Sequence, residues 1–174
     1  MTNTTTTQLN GVRIEQVLAL ARRVEAEPLV GATTWSASVA WRGAFRSEST
    51  VRGFAPIPSD EPGALGGDDT APNPVEQLLA AFGNCLAVGY AANATAAGIE
   101  VRDLRIDLEG DLDLQTFLGL NPYGNAGYES IRVAVTIDSD ATPDQLADLH
   151  ERVVSTSPVG HTLLRSIPVD VRLA

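Results

Sequence analysis

Cysteine occurs once in these 174 residues, at Cys85. A lone thiol excludes an intramolecular disulfide framework and any zinc site built from four thiolates. Histidine is almost as scarce. His150 and His161 are the two, and their spacing is not that of a metal-ligand pair, so neither metal nor cofactor is expected. Clusters of basic residues are also missing: 12 Lys and Arg against 22 Asp and Glu leave a formal charge of −10. Nucleic acid requires a basic footprint to neutralise its phosphates, and an anionic membrane surface would repel such a chain, which removes both as partners. No apolar run approaches the roughly 18 residues that span a bilayer. The opening MTNTTTTQLN has neither the basic nor the apolar region of a signal peptide. A soluble, cytoplasmic protein is the expectation. What remains is ordinary globular material, 44% hydrophobic and 20% charged, of a length that suits one domain with a modest N-terminal extension.

Along the chain, residues 1–9 read as a tail and residues 10–27 as a short amphipathic helix. Val12, Ile14, Val17, Leu18 and Leu20 supply its apolar stripe, and Asn10 is a candidate cap. Segments 33–42 and 44–54 alternate β-branched or aromatic with polar residues on either side of Gly43, the pattern of a hairpin. Residues 55–72, dense in Pro, Gly and Asp, read as a long surface loop. The sharpest start signal follows: Asn73 as N-cap, Pro74 at the first helical position and Glu76 at the third. The helix it opens, rich in Ala and Gly and nearly free of charge, is expected to end at Gly98 and to be buried on most faces. Residues 99–114 and 129–138 alternate apolar and charged residues, as half-exposed strands do. Thr142 to Gln145 is a second capping box, opening a helix to about Thr156, and a last strand is expected at 167–173. The predicted order β-β-α-β-β-α-β is that of an α+β fold.

Two segments carry a resemblance. PNPVEQLLAAFGNCL, Pro72 to Leu86, places a cysteine on a helix opened by Asn-Pro and an acid. SPVGHTLLRSIPVDVRL, Ser157 to Leu173, has a Pro-Val pair ahead of the final strand. Together, with Gly66-Gly67 before the helix, they resemble the OsmC/Ohr family over roughly residues 30–174, leaving residues 10–29 as an extension. The resemblance implies an α+β fold intertwined into a homodimer around a long buried central helix. It also implies reduction of organic hydroperoxides, a form of oxidative-stress protection. In that chemistry a peroxidatic cysteine is activated by an arginine and a glutamate, and a second cysteine resolves its sulfenic acid. An activating environment is needed because the thiolate is the nucleophile, whereas a free cysteine titrates near ~8.5.

Carried over residue by residue, the peroxidatic position falls on Cys85; the structural alternative is a cysteine that merely packs. The family glutamate lies ten residues earlier, where Val75 stands. Glu76 is one residue later, nearly opposite Cys85 on a straight helix, and would need a bend or the partner subunit to reach it. Arg42 in the hairpin is the first candidate for the arginine and Arg52 the second; the alternative for both is a solvated strand face. Ser157 occupies the place of the second cysteine, which removes the two-cysteine cycle, because serine forms no disulfide. His161, four residues on, and Asn84, beside the cysteine, are candidate pocket residues.

The resemblance thus implies a single-cysteine peroxidase regenerated by an external thiol. The alternative is a dimer that keeps the pocket to bind a small apolar or acyl ligand. A stress-related structural dimer with a core cysteine is the third reading.

Overall fold

Five α-helices and two antiparallel sheets organise residues 8–173, the part of the chain that the computed structural model describes. The α+β class is as expected. The expected tail lies largely outside the described residues, although Leu9 already belongs to a 3-10 turn, Leu9–Gly11. Two compact units divide the chain: Glu15–Leu78, and the residues from Leu79 onward together with the N-terminal segment through Ile14.

The 15–78 unit contains α1 (Ile14–Ala26) and a meander of three short strands, β1 (Ser38–Trp41), β2 (Ser47–Thr50) and β3 (Ile57–Ser59). β1 and β2 form the expected hairpin, with Ser38 opposite Thr50 and Trp41 opposite Ser47. β3 corrects the reading of 55–72 as loop throughout. Its Pro58 disguises the strand in sequence but is tolerated because β3 is an edge, paired on one side only, with Ser59 opposite Ser47. Buried Asp60 organises the rest of the loop. Its carboxylate accepts from the backbone N–H groups of Glu61, Asp68 and Thr70 and from the Thr70 hydroxyl. The Thr70 hydroxyl above all, with those N–H groups, holds the Asp60 carboxyl below its ordinary titration range.

α2 (Pro74–Ala96) starts as the sequence indicates. The Asn73 side chain accepts from the Glu76 N–H at 2.9 Å, and the Glu76 carboxylate accepts from the Asn73 N–H at 2.9 Å. Gly98 follows its end at φ +72°, the left-handed conformation that a helix stop favours. Twenty-three residues make a rod of about 35 Å. By length and composition this helix is long and apolar enough to cross a membrane, contrary to the expectation that no run is. Its Leu86, Tyr90 and Ala94 are instead core residues of the fold.

The unit from Leu79 onward is built on the ribbon of β4 (Asp103–Leu112) and β5 (Tyr128–Asp138), whose register runs from Asp103 opposite Asp138 to Gly110 opposite Ile131. One face carries Leu104, Ile106, Val133, Val135 and Ile137 into the core; the other carries charge, with Arg132 paired to Asp111 and Arg102 to Asp138. The Arg132 guanidinium pulls the Asp111 carboxyl down to about 2. A short α3 (Leu114–Phe117) begins the connection between the strands. α4 (Pro143–Thr156) opens with the Thr142/Gln145 capping box and contributes Leu149 and Val153 to the core beside α2.

α5 (Pro158–Leu164) was not foreseen as a helix, and the strand expected at 167–173 is not formed. That run forms no regular element and is exposed, with Val171 at 90%; a strand needs a neighbour for its N–H and C=O groups, and none of the described strands pairs with it.

Asn10 does not cap α1, which begins four residues later. It sits at φ +53° and closes the far end of α2: its amide donates to Thr95 Oγ1 (3.1 Å) and the Ile99 carbonyl (2.9 Å), and its oxygen accepts from the Val101 N–H (2.9 Å). Asn10→Ala removes all three bonds and puts a Cβ residue without a polar side chain at positive φ. A loss of about 1–3 kcal/mol in urea denaturation is expected, and an unchanged midpoint would refute this role.

Candidate functional site

Ala81, Asn84, Cys85, Val88 and Gly89 recur along α2 at spacings of three and four, so they form one stripe. Opposite them the chain changes direction. Pro158 cannot continue α4, and the residue before a proline is pushed out of helical conformation; Ser157 accordingly sits at φ −71°, ψ 114°, ending α4 and capping α5. Its Oγ accepts from the Gly160 N–H at 3.1 Å. The α2 stripe, with Val153, Thr156, Ser157 and Pro158, lines a cleft of about 460 Å³.

Half-buried Cys85 borders this cleft, with its Sγ 3.3 Å from the Oγ of Ser157, which is only 5% exposed. Two glycines allow the approach. A Cβ at Gly89 would come within 3.0 Å of Val153 Cγ1, and one at Gly160 within 3.1 Å of both Phe82 Cε2 and Ser157 Oγ. One residue past Gly89, buried Tyr90 hydrogen-bonds through its hydroxyl to His150 Nδ1, tying α2 to α4, and burial pushes its phenol up.

The sequence-derived candidates therefore separate. Cys85, Asn84 and Ser157 meet at one cleft. His161 lies in α5, its N–H bonded to the Ser157 carbonyl, and is not among the cleft's lining residues. Arg42, Arg52 and Glu76 belong to the 15–78 unit and have partners of their own there. Arg42 is ion-paired with Glu48 at 2.8 Å, Arg52 lies 4.7 Å over the Phe54 ring, and Glu76 completes the capping box of α2. Val153 and Thr156 were missed as lining residues. The signal for Val153 was present, since it closes the apolar stripe of α4 set by Leu146 and Leu149; Thr156 carries no such mark. Among the described residues, no group of three or more His, Cys, Asp or Glu is placed to hold a metal ion.

A model of the OsmC-like protein family matches residues 66–172, more than half of the chain. The chain belongs to the OsmC-like family. Solved OsmC-like structures share its fold. The OsmC-like protein of Mycoplasma pneumoniae superposes with a TM-score of 0.65 at 18% identity, covering 76% of this chain and 88% of that one. An OsmC-like protein of unknown function from Vibrio cholerae gives 0.63 at 14%, with 75% and 94% covered. An organic hydroperoxide resistance protein from Legionella pneumophila gives 0.58 at 16%, with 76% and 91% covered. At these identities the likeness concerns the fold. No curated protein matches the sequence.

The 3.3 Å between sulfur and oxygen has a direct chemical consequence. In Ser157→Cys the second sulfur would start a little over an ångström beyond the ~2.05 Å of a disulfide bond. Mild oxidation should therefore close an internal disulfide, read by intact mass as the loss of two hydrogens and of both free thiols. A variant that keeps two alkylatable thiols after oxidation would show that the Cβ positions do not suit the bond.

Proposed function

We propose that this OsmC-like protein reduces organic hydroperoxides through Cys85 and is regenerated by an external thiol. The observation that carries the reading is the position of the single cysteine: it borders an apolar cleft, beside the residue that stands where the second cysteine of the resemblance would be. Family membership and a neighbour named for organic hydroperoxide resistance support it. The Cys85 thiolate attacks the outer oxygen of R–O–O–H. The O–O bond breaks, the sulfur becomes a sulfenic acid, and RO⁻ takes a proton and leaves as the alcohol. Ser157 cannot condense with that sulfenic acid. One thiol R′–SH does so instead, releasing water and leaving a mixed disulfide. A second R′–SH then releases Cys85 and R′–S–S–R′. Arg42 or Arg52, from the same or a second subunit, supplies the activating charge that the resemblance calls for, at the cost of its present partner. Glu76 acts there only if its capping bond is given up.

Intact mass spectrometry after one equivalent of an organic hydroperoxide tests this reading. One added oxygen on Cys85, removed by a small thiol, is expected, and excess peroxide should drive further oxidation because no internal thiol intercepts the sulfenic acid. The binding reading is favoured by the mostly apolar lining of the cleft, with Ala81, Val88, Val153 and Pro158 among its residues. No adduct within minutes would leave a dimer that binds an apolar or acyl ligand as the better account.

The same reading includes a homodimer. Trp35, Val39, Trp41 and Phe54 are exposed, and so are Ile167, Val169 and Val171 in a run without a strand partner. Apolar surface on this scale marks interaction sites. Sedimentation at micromolar concentration should return twice the chain mass, and a stable folded monomer would remove the dimer from the proposal.

A further inference from the structure

We propose that the Ser157 hydroxyl is the hydrogen-bond donor to the Cys85 sulfur when that sulfur reacts as the thiolate. The proposal rests on the reading of Cys85 as the reacting group. A serine hydroxyl has one proton to give and two lone pairs to offer. The Gly160 N–H occupies the acceptor side of Ser157 at 3.1 Å, and the other polar partner of that oxygen is Cys85 Sγ at 3.3 Å. In the thiol either atom can donate across this contact, whereas a thiolate has no proton and the Ser157 hydroxyl is then the donor. A neutral thiol is a weak acceptor, whereas a thiolate accepts a charge-assisted bond. The contact therefore stabilises the anion more than the thiol, and the N–H donated by Gly160 polarises the O–H further.

Among the described residues, no other side chain of the cleft hydrogen-bonds to the sulfur. The Thr156 hydroxyl donates to the Arg152 carbonyl of its own helix at 2.7 Å, and Asn84 is exposed. Of the lining residues, which come from α2, α4 and the turn into α5, Cys85 carries the one ionisable side chain. Ser157 is itself 5% exposed, so water does not readily take its place at the sulfur. Gly160 is the positioning residue: it supplies the N–H that orients the hydroxyl, and its missing Cβ leaves room for Phe82 and Ser157.

The test is the iodoacetamide alkylation rate of Cys85 against pH, in the full chain, for the wild type and Ser157→Ala. In the variant the rate near pH 7 should fall about tenfold, the low end for a lost bond to a charged group. Its profile should move to higher pH and rejoin the wild type where the sulfur is fully ionised. A merely structural role would change the rate by one factor at every pH. That result, or an unmoved profile, overturns the proposal. Ser157→Thr and Ser157→Val keep the comparison decisive if the alanine variant does not fold. The two are matched in shape and differ in the hydroxyl, so the threonine profile should stay near the wild type and the valine profile should shift. Hydroperoxide oxidation measured on the same samples separates the two readings. A Ser157-dependent profile without oxidation retires the peroxidase and keeps this inference; oxidation with a Ser157-independent profile does the reverse.

Discussion

The close approach of α2 to α4 and α5 is the constraint on which the site depends. The contact is made at Gly89 against Val153 and at Gly160 against Phe82, where the missing side chain leaves room. An added Cβ at either glycine would meet its neighbours at 3.0–3.1 Å, so those neighbours would have to give by a few tenths of an ångström. Core burial of Leu86, Tyr90, Leu149 and Val153 drives the helices together, and the glycines set how far they go. The Cys85–Ser157 distance follows from that packing and does not require a dedicated loop.

The polar bonds around this core specify geometry. Asn10 closes the C-terminal end of α2, the Asn73/Glu76 box closes its start, and Tyr90 and His150 bridge it to α4. Among the described residues, no buried side-chain nitrogen or oxygen lacks a partner. The helix that carries the sulfur is thus fixed at both ends and along its length.

Much of this was legible in the residues. The Asn73-Pro74-Glu76 and Thr142-Gln145 signatures marked helix starts because caps are local chemistry, and strict alternation in 103–112 and 129–138 marked strands with one buried face. β3 was hidden by Pro58, which reads as a strand breaker until its edge position is known. The C-terminal run has a strand's alternation but nothing to pair with in one chain, so the pattern was real and the element absent. Cys85 and Ser157 were legible through the motifs around them. Gly89 was legible as one of the small residues of α2, with Ala80, Ala81, Gly83 and Ala87, that let another backbone approach, whereas Thr156 was not singled out, since lining a cleft depends on which helix faces which. Arg42 carries no mark in sequence of its pairing with Glu48, a contact fixed by the hairpin register.

Ser157 ends one helix and begins the next through its backbone angles and a single acceptor atom. Neither demand distinguishes oxygen from sulfur sharply, because a cysteine of the same conformation would place a weaker acceptor at nearly the same point. The scaffold's demands at this position are therefore met by either residue. On this backbone, the proposed dependence on a foreign thiol turns on a single side-chain atom.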